Sequence, residues 1–149
     1  MDDLLLDLVR DEGAVRGPHN RHIIYEDHFG YRTLGYGRLM EPEMGGGLSE
    51  AEAQYMLKAD IVRVLAEMDA TWPWAQGLSA PQRRGLANLL FNCGLTRLRK
   101  FVNMLDALEK SAAGDVGAAD RAASECLDSR YATQVGDRAK RIARLLSQD

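Results

Sequence analysis

The chain is short of cysteine, proline and aromatic residues, with two Cys, four Pro and 7% aromatics in 149 residues. Cys93 and Cys126 are too few for a disulfide framework and match no metal spacing, so two buried free thiols are expected. Histidine is scarce as well. His19 and His22 are loosely spaced, His28 stands apart, and no Cys or carboxylate cluster completes a coordination set. No metal and no cofactor is therefore expected. Long apolar runs are missing: Leu4-Leu5-Leu6 is preceded by Asp2 and Asp3 and broken by Asp7. Neither a membrane span nor a secretory leader fits that pattern. Internal repeats and low-complexity segments are absent. What is present is 46% hydrophobic and 28% charged, an ordinary globular composition. The length allows one core, undivided or split between two lobes.

Charge is unevenly spread. Residues 1–81 carry 7 Lys/Arg against 14 Asp/Glu, and residues 82–149 carry 12 against 8. The second part has basic runs at Arg97, Arg99 and Lys100, and at Arg138, Lys140, Arg141 and Arg144. Such runs are either solvated helix faces or a weak contact for an anionic envelope. Nothing in them points to nucleic acid.

An opening helix is predicted over 2–12. Asp2 or Asp3 caps it, Leu4, Leu5, Leu8 and Val9 form its apolar stripe, and Gly13 stops it. Glu12 follows Leu8 by four residues and Leu5 by seven, so it is expected on the interior side of that helix. Burial there, beside the unpaired carbonyls of a helix C-terminus, would raise its pKa. A β-hairpin follows. His22-Ile23-Ile24-Tyr25 and Tyr31-Arg32-Thr33-Leu34 are joined by Asp27-His28-Phe29-Gly30, with Asp and Gly at the first and fourth turn positions. Continuing that second strand, Thr33, Gly35 and Gly37 would share one face, bare enough to floor a groove.

Met44-Gly45-Gly46-Gly47 forms a joint before the capping box Ser49-Glu50-Ala51-Glu52. That box opens a helix to about Ala70, roughly 30 Å long and able to bridge two lobes. Trp72-Pro73-Trp74 stops it, and the tryptophans are expected in the core that joins the lobes. A second box, Ser79-Ala80-Pro81-Gln82, opens a helix to about Cys93. Further helices are predicted near 97–110, 116–127 and 137–147, separated by Gly94, Gly114 and Gly136. The fold class is α+β, mainly α.

Two carboxylates in unlike settings are what glycosidic cleavage needs: one protonated acid and one ionised partner. Glu12 suits the acid, Asp27 on its turn suits the partner, and the Thr33 hydroxyl can hold a water. The Glu-Gly ending helix one, followed by Tyr-x-Asp-x-x-Gly-Tyr-x-Thr-x-Gly-x-Gly, resembles the phage-type lysozymes of glycoside hydrolase family 24. Three later segments resemble the same family in order: Gln82 to Gly94, Phe101 to Leu105, and Ser129-Arg130-Tyr131 through Arg141.

That resemblance implies a phage lysozyme-like fold as a single domain over 1–149. A β-containing lobe would cover 13–48, a connecting helix 49–70, and a helical lobe 71–149 together with helix 2–12. It implies an endolysin that hydrolyses the β-1,4 bond between N-acetylmuramic acid and N-acetylglucosamine in peptidoglycan. Glu12, Asp27 and Thr33 would be its catalytic residues. Leu39, Phe91, Asn92, Tyr131 and Arg138 would bind substrate, with Arg138 paired to Glu12. A lytic transglycosylase, a chitin-active relative and an inactive wall-binding protein are the alternatives. With no secretory leader, the enzyme is expected to be a monomer held in the host cytoplasm until a holin or another lesion opens the membrane. Some positions depart from the family's best-known member. Arg38 replaces a histidine, Asn92 a glutamine and Tyr131 a tryptophan; Met104 and Glu125 fall where polar sugar contacts are made there. The 14–26 segment is longer and 41–47 shorter.

Overall fold

The computed structural model describes residues 2–148. It divides into two compact units whose boundary falls between Met56 and Leu57. Each is built on its own physical principle.

The first unit opens with α1 (Asp2–Glu12), followed by a 3-10 turn at Pro18–Asn20. Three short strands come next, β1 (Ile24–Glu26), β2 (Arg32–Leu34) and β3 (Arg38–Leu39), antiparallel in the order β1-β2-β3. The predicted turn joins β1 to β2: the Gly30 N–H donates to the Asp27 carbonyl at 2.9 Å. The third strand was not expected. It pairs Leu39 with Thr33 and Arg38 with Leu34, so β2 becomes the centre of the sheet.

This unit has almost no core. Thr33, 4% exposed, is its only buried residue among those described. The stripe expected to carry α1 into an interior stays open, with Leu4, Leu5 and Leu8 all exposed. Glu12 is exposed too, which corrects the expectation of a carboxyl buried by that stripe. An amphipathic pattern specifies a helix; it does not supply the apolar surface that would cover it.

Polar ties hold the first unit instead. Arg32 donates from Nη2 to Glu41 Oε1 at 2.9 Å. Arg38 grips Glu52 through both ends of its guanidinium, at 2.6 and 2.7 Å, and donates from Nε to the Gly47 carbonyl. Glu52 also accepts from the backbone N–H and hydroxyl of Ser49, closing the predicted capping box.

Helix α2 (Glu50–Thr71) runs through the boundary, and its later part enters the core of the second unit with Val64 and Met68. The remaining helices are α3 (Ala80–Cys93), α4 (Leu95–Leu98), α5 (Val102–Ala112), α6 (Ala118–Leu127), α7 (Arg130–Val135) and α8 (Asp137–Leu146). The expected helix over 97–110 is two helices broken near Phe101, and α7 was not predicted. Packing is chiefly α5 on α6, α6 on α8 and α3 on α8. Leu86, Leu89, Leu98, Leu108, Ile142 and Leu146 are fully buried, each contributing about 1.5–3 kcal/mol of transfer energy. Helices α3 and α8 meet at Gly85, where an added Cβ would lie 2.7 Å from Leu146 Cδ2.

One polar side chain crosses this core. Gln82, 1% exposed, accepts from the Ser79 N–H and donates to the Ser111 hydroxyl and the Leu146 carbonyl. Buried amides are tolerated when their donors and acceptors are satisfied in this way. Trp72 and Trp74 pack against the core of this unit. Cys93 and Cys126 are free thiols, and burial pushes Cys126 up to about 11. No helix among the described residues is long and apolar enough to cross a membrane.

Candidate active site

The three residues proposed for chemistry all lie in the first unit. Glu12 is the last residue of α1. Its carboxylate rests against the turn from β2 to β3, where a Cβ placed on Gly37 would stand 3.0 Å from Glu12 Oε2. Gly37 has φ +83° and Gly35 φ +69°, both in the region that favours glycine. Strand β2 ends at Leu34, so Gly35–Gly37 is a tight turn rather than the continuation of a strand. The strand face expected to be shared by Thr33, Gly35 and Gly37 therefore does not form.

Asp27 opens the β1–β2 turn, and the fold fixes one of its oxygens. Oδ1 accepts from the Phe29 and Tyr31 N–H groups, both at 2.9 Å. Asp27 N–H donates to the Tyr31 carbonyl at 2.9 Å. This is an Asx turn, in which the side chain imitates a backbone acceptor. Oδ2 has no protein partner among the described residues, so the carboxylate is anchored by one oxygen and free at the other.

Thr33 sits at the middle of β2, between Tyr25 of β1 and Leu39 of β3. Its hydroxyl donates to the Tyr31 carbonyl at 3.2 Å. The hydroxyl proton is thereby committed, and the oxygen lone pairs are left to accept. Leu39, a proposed substrate contact, is half-buried opposite Thr33.

Arg38, at the position of the missing histidine, has a structural occupation: it binds Glu52 and holds β3 to the start of α2. Glu52 is lowered to about 2 by that arginine first and by Ser49 second. Glu41 is likewise lowered to about 2, chiefly by Arg32.

The other named residues lie in the second unit. Phe91 and Asn92 are exposed near the end of α3. Arg138 is half-buried and donates from Nε and Nη2 to Asn88 Oδ1 at 3.1 and 2.8 Å. Phe91 and Arg138 border a cavity of about 710 Å³ with Leu57, Ile61 and Ala87. Tyr131 is 8% exposed, edge-on to Phe101 at 6.0 Å, and borders a separate cavity of about 650 Å³. Met104 is only 1% exposed and belongs to the core, and it lines the same cavity as Tyr131. Glu125 accepts from Asn103 at 3.2 Å. No group of three or more His, Cys, Asp or Glu that could hold a metal occurs among the described residues.

The hairpin that anchors Asp27 and buries Thr33 lies in a stretch matched by a family model. The model of the phage lysozyme family fits residues 19–142. The chain belongs to the phage lysozyme family. Membership makes it a lysozyme-type peptidoglycan hydrolase. A search of the curated proteins finds no match. The lysozyme match includes Asp27, Thr33, Leu39, Phe91, Asn92, Tyr131 and Arg138 but begins after Glu12.

Sequence reasoning passed over Tyr36, Arg16 and the ties to Glu41 and Glu52. A signal for the first two was available. Gly17-Pro18-His19-Asn20 is a turn sequence, and a short bridge pairing Arg16 with His22 closes across it.

Proposed function

We propose that this lysozyme is an endolysin-type muramidase cleaving the β-1,4 bond between N-acetylmuramic acid and N-acetylglucosamine. The observation that carries the reading is the Glu12 carboxylate lying against the β2–β3 turn of the sheet whose central strand carries Thr33 and whose β1–β2 turn anchors Asp27. Glu12 donates its proton to the glycosidic oxygen as the bond breaks. Asp27, tied through Oδ1, uses its free oxygen to take a proton from the attacking water. Thr33 accepts a hydrogen bond from that water, because its own proton is spent on the Tyr31 carbonyl. Charge and protons balance: one proton leaves Glu12 for the departing sugar and one reaches Asp27 from water. Attack by water on the face opposite the leaving group inverts the anomeric centre.

Leu39, Phe91, Asn92, Tyr131 and Arg138 are proposed as substrate contacts. The working state is a monomer, stored in the host cytoplasm and released to the wall by a holin. Arg141 and Arg144 are exposed on α8 beside Lys140, and this basic run is proposed as a weak contact for an anionic envelope.

Clearing of permeabilised Gram-negative cells tests the assignment. Wild-type protein should clear the suspension, and Glu12→Gln should not, with an unchanged circular dichroism spectrum. Full clearing by Glu12→Gln would remove Glu12 from the mechanism.

A further inference from the structure

The longer 14–26 segment folds back on itself. Arg16 and His22 form an antiparallel bridge, the Gly17 N–H donates to the Arg21 carbonyl at 2.9 Å, and the Ile23 N–H donates to the Val15 carbonyl at 3.4 Å. Two left-handed residues, His19 and Asn20, make the reversal. The bridge is tight: a Cβ on Gly17 would lie 2.7 Å from Ile23 Cγ2.

This small ribbon sends two side chains to one target. Arg16 donates from Nη1 to the Asn20 carbonyl at 2.9 Å, which fixes the guanidinium, and from Nη2 to the Tyr36 hydroxyl at 3.2 Å. The His22 ring meets the Tyr36 ring edge-on with centroids 4.9 Å apart. His22 Nδ1 is buried without a hydrogen-bond partner among the described residues, so the contact with Tyr36 is a packing contact.

Tyr36 is the middle residue of the Gly35–Gly37 turn, and Gly37 is the residue against which Glu12 lies. With glycine on both sides, that turn has little stiffness of its own. Among the described residues, the unit around it buries no apolar side chain that could supply rigidity. A catalytic acid needs placement to a fraction of an ångström, and a displacement of about 1 Å can cost about 100-fold in rate.

We propose that Arg16, His22 and Tyr36 are positioning residues: they clamp the Gly35–Gly37 turn and through it set the placement of Glu12. The role rests on Glu12 being the acid of a glycosidase. It adds that the extra length before Asp27 serves the acid, by gripping the one side chain of the glycine turn. None of the three is among the catalytic or substrate-contact residues proposed above. Removing the clamp therefore lowers turnover and leaves substrate affinity intact.

The test uses the full chain and a soluble, uncrosslinked glycan strand. Tyr36→Phe keeps the ring and deletes the hydroxyl; Arg16→Ala deletes the donor. Each should lower kcat by about tenfold with KM unchanged within about twofold, and the double variant should fall no further, because both remove one tie. Arg16→Lys should recover part of the loss. An unchanged kcat, or a rise in KM at constant kcat, overturns the proposal. A second readout does not need turnover. In otherwise wild-type protein the Gly37 amide resonance should shift on Glu12→Gln, and Tyr36→Phe should weaken that response at an unchanged melting temperature. An equal response in both proteins overturns the clamp. If the wild type fails to cleave glycan while the amide response behaves as described, the glycosidase assignment falls and the clamp stands as a structural tie.

Discussion

Replacing Gly37 with alanine separates backbone strain from disturbance of the acid. The added Cβ meets two penalties. At φ +83° an L-residue costs about 1–2 kcal/mol relative to glycine. The Cβ would also stand 3.0 Å from Glu12 Oε2, closer than a comfortable carbon–oxygen contact. Glu12 is exposed and can swing away, so the contact itself costs little stability but moves the carboxylate. Gly35→Ala is the control: its φ is +69° and no atom lies within 4 Å of the added carbon. Both variants should lose about 1–2 kcal/mol in thermal or urea unfolding. Their activities should part: Gly35→Ala should keep most of its turnover, whereas Gly37→Ala should drop by about 100-fold, the cost of misplacing a reacting group by about 1 Å. Turnover on soluble glycan strands, measured beside each unfolding curve, gives the comparison. Equal activities would refute the argument that Glu12 works from its seat against Gly37.

Asp27→Asn keeps an oxygen that can accept from the Phe29 and Tyr31 N–H groups. Its melting temperature should stay close to wild type while turnover falls by about 10²–10⁴, the usual worth of a general base; retained turnover would free Asp27 from catalysis. Glu41 and Glu52 are both lowered to about 2 in the folded chain, below their ordinary value of 4.5. The stability they contribute is therefore fully present above about pH 4.5 and is lost as pH falls towards 2. Amide exchange should show the first unit loosening over that window, and Arg38→Gln should remove the larger part of the Glu52 share, leaving that of Ser49. Leu108→Ala, at a fully buried position, should cost about 2–5 kcal/mol in urea unfolding of the second unit. A loss below about 1 kcal/mol would contradict the packing described.

Local chemistry was legible in the sequence wherever a few neighbouring residues decide the outcome. Ser79 with Gln82, Ser49 with Glu52, and Asp27 with Gly30 announced two helix starts and one turn, and each hydrogen bond is present. Glu12, Asp27 and Thr33 could be proposed together because they sit in one short stretch. Features that depend on distant residues were hidden. Strand β3 follows from Arg38 reaching Glu52 and Gly47, and no local propensity foretells a two-residue strand. The break near Phe101 and the short α7 reflect packing of the second unit, which overrides helical periodicity. The open stripe of α1 shows the limit most plainly: spacing tells which face is apolar, and only the surroundings tell whether anything covers it. Tyr36 escaped notice because its value lies in Arg16 and His22, residues of a segment marked only by its extra length.

The claim of hydrolysis by a muramidase is tested most directly by mass spectrometry of the fragments released from purified peptidoglycan. The account predicts soluble muropeptides with reducing N-acetylmuramic acid ends, each carrying the mass of one added water. Anhydromuramic ends, or reducing N-acetylglucosamine ends, would contradict it.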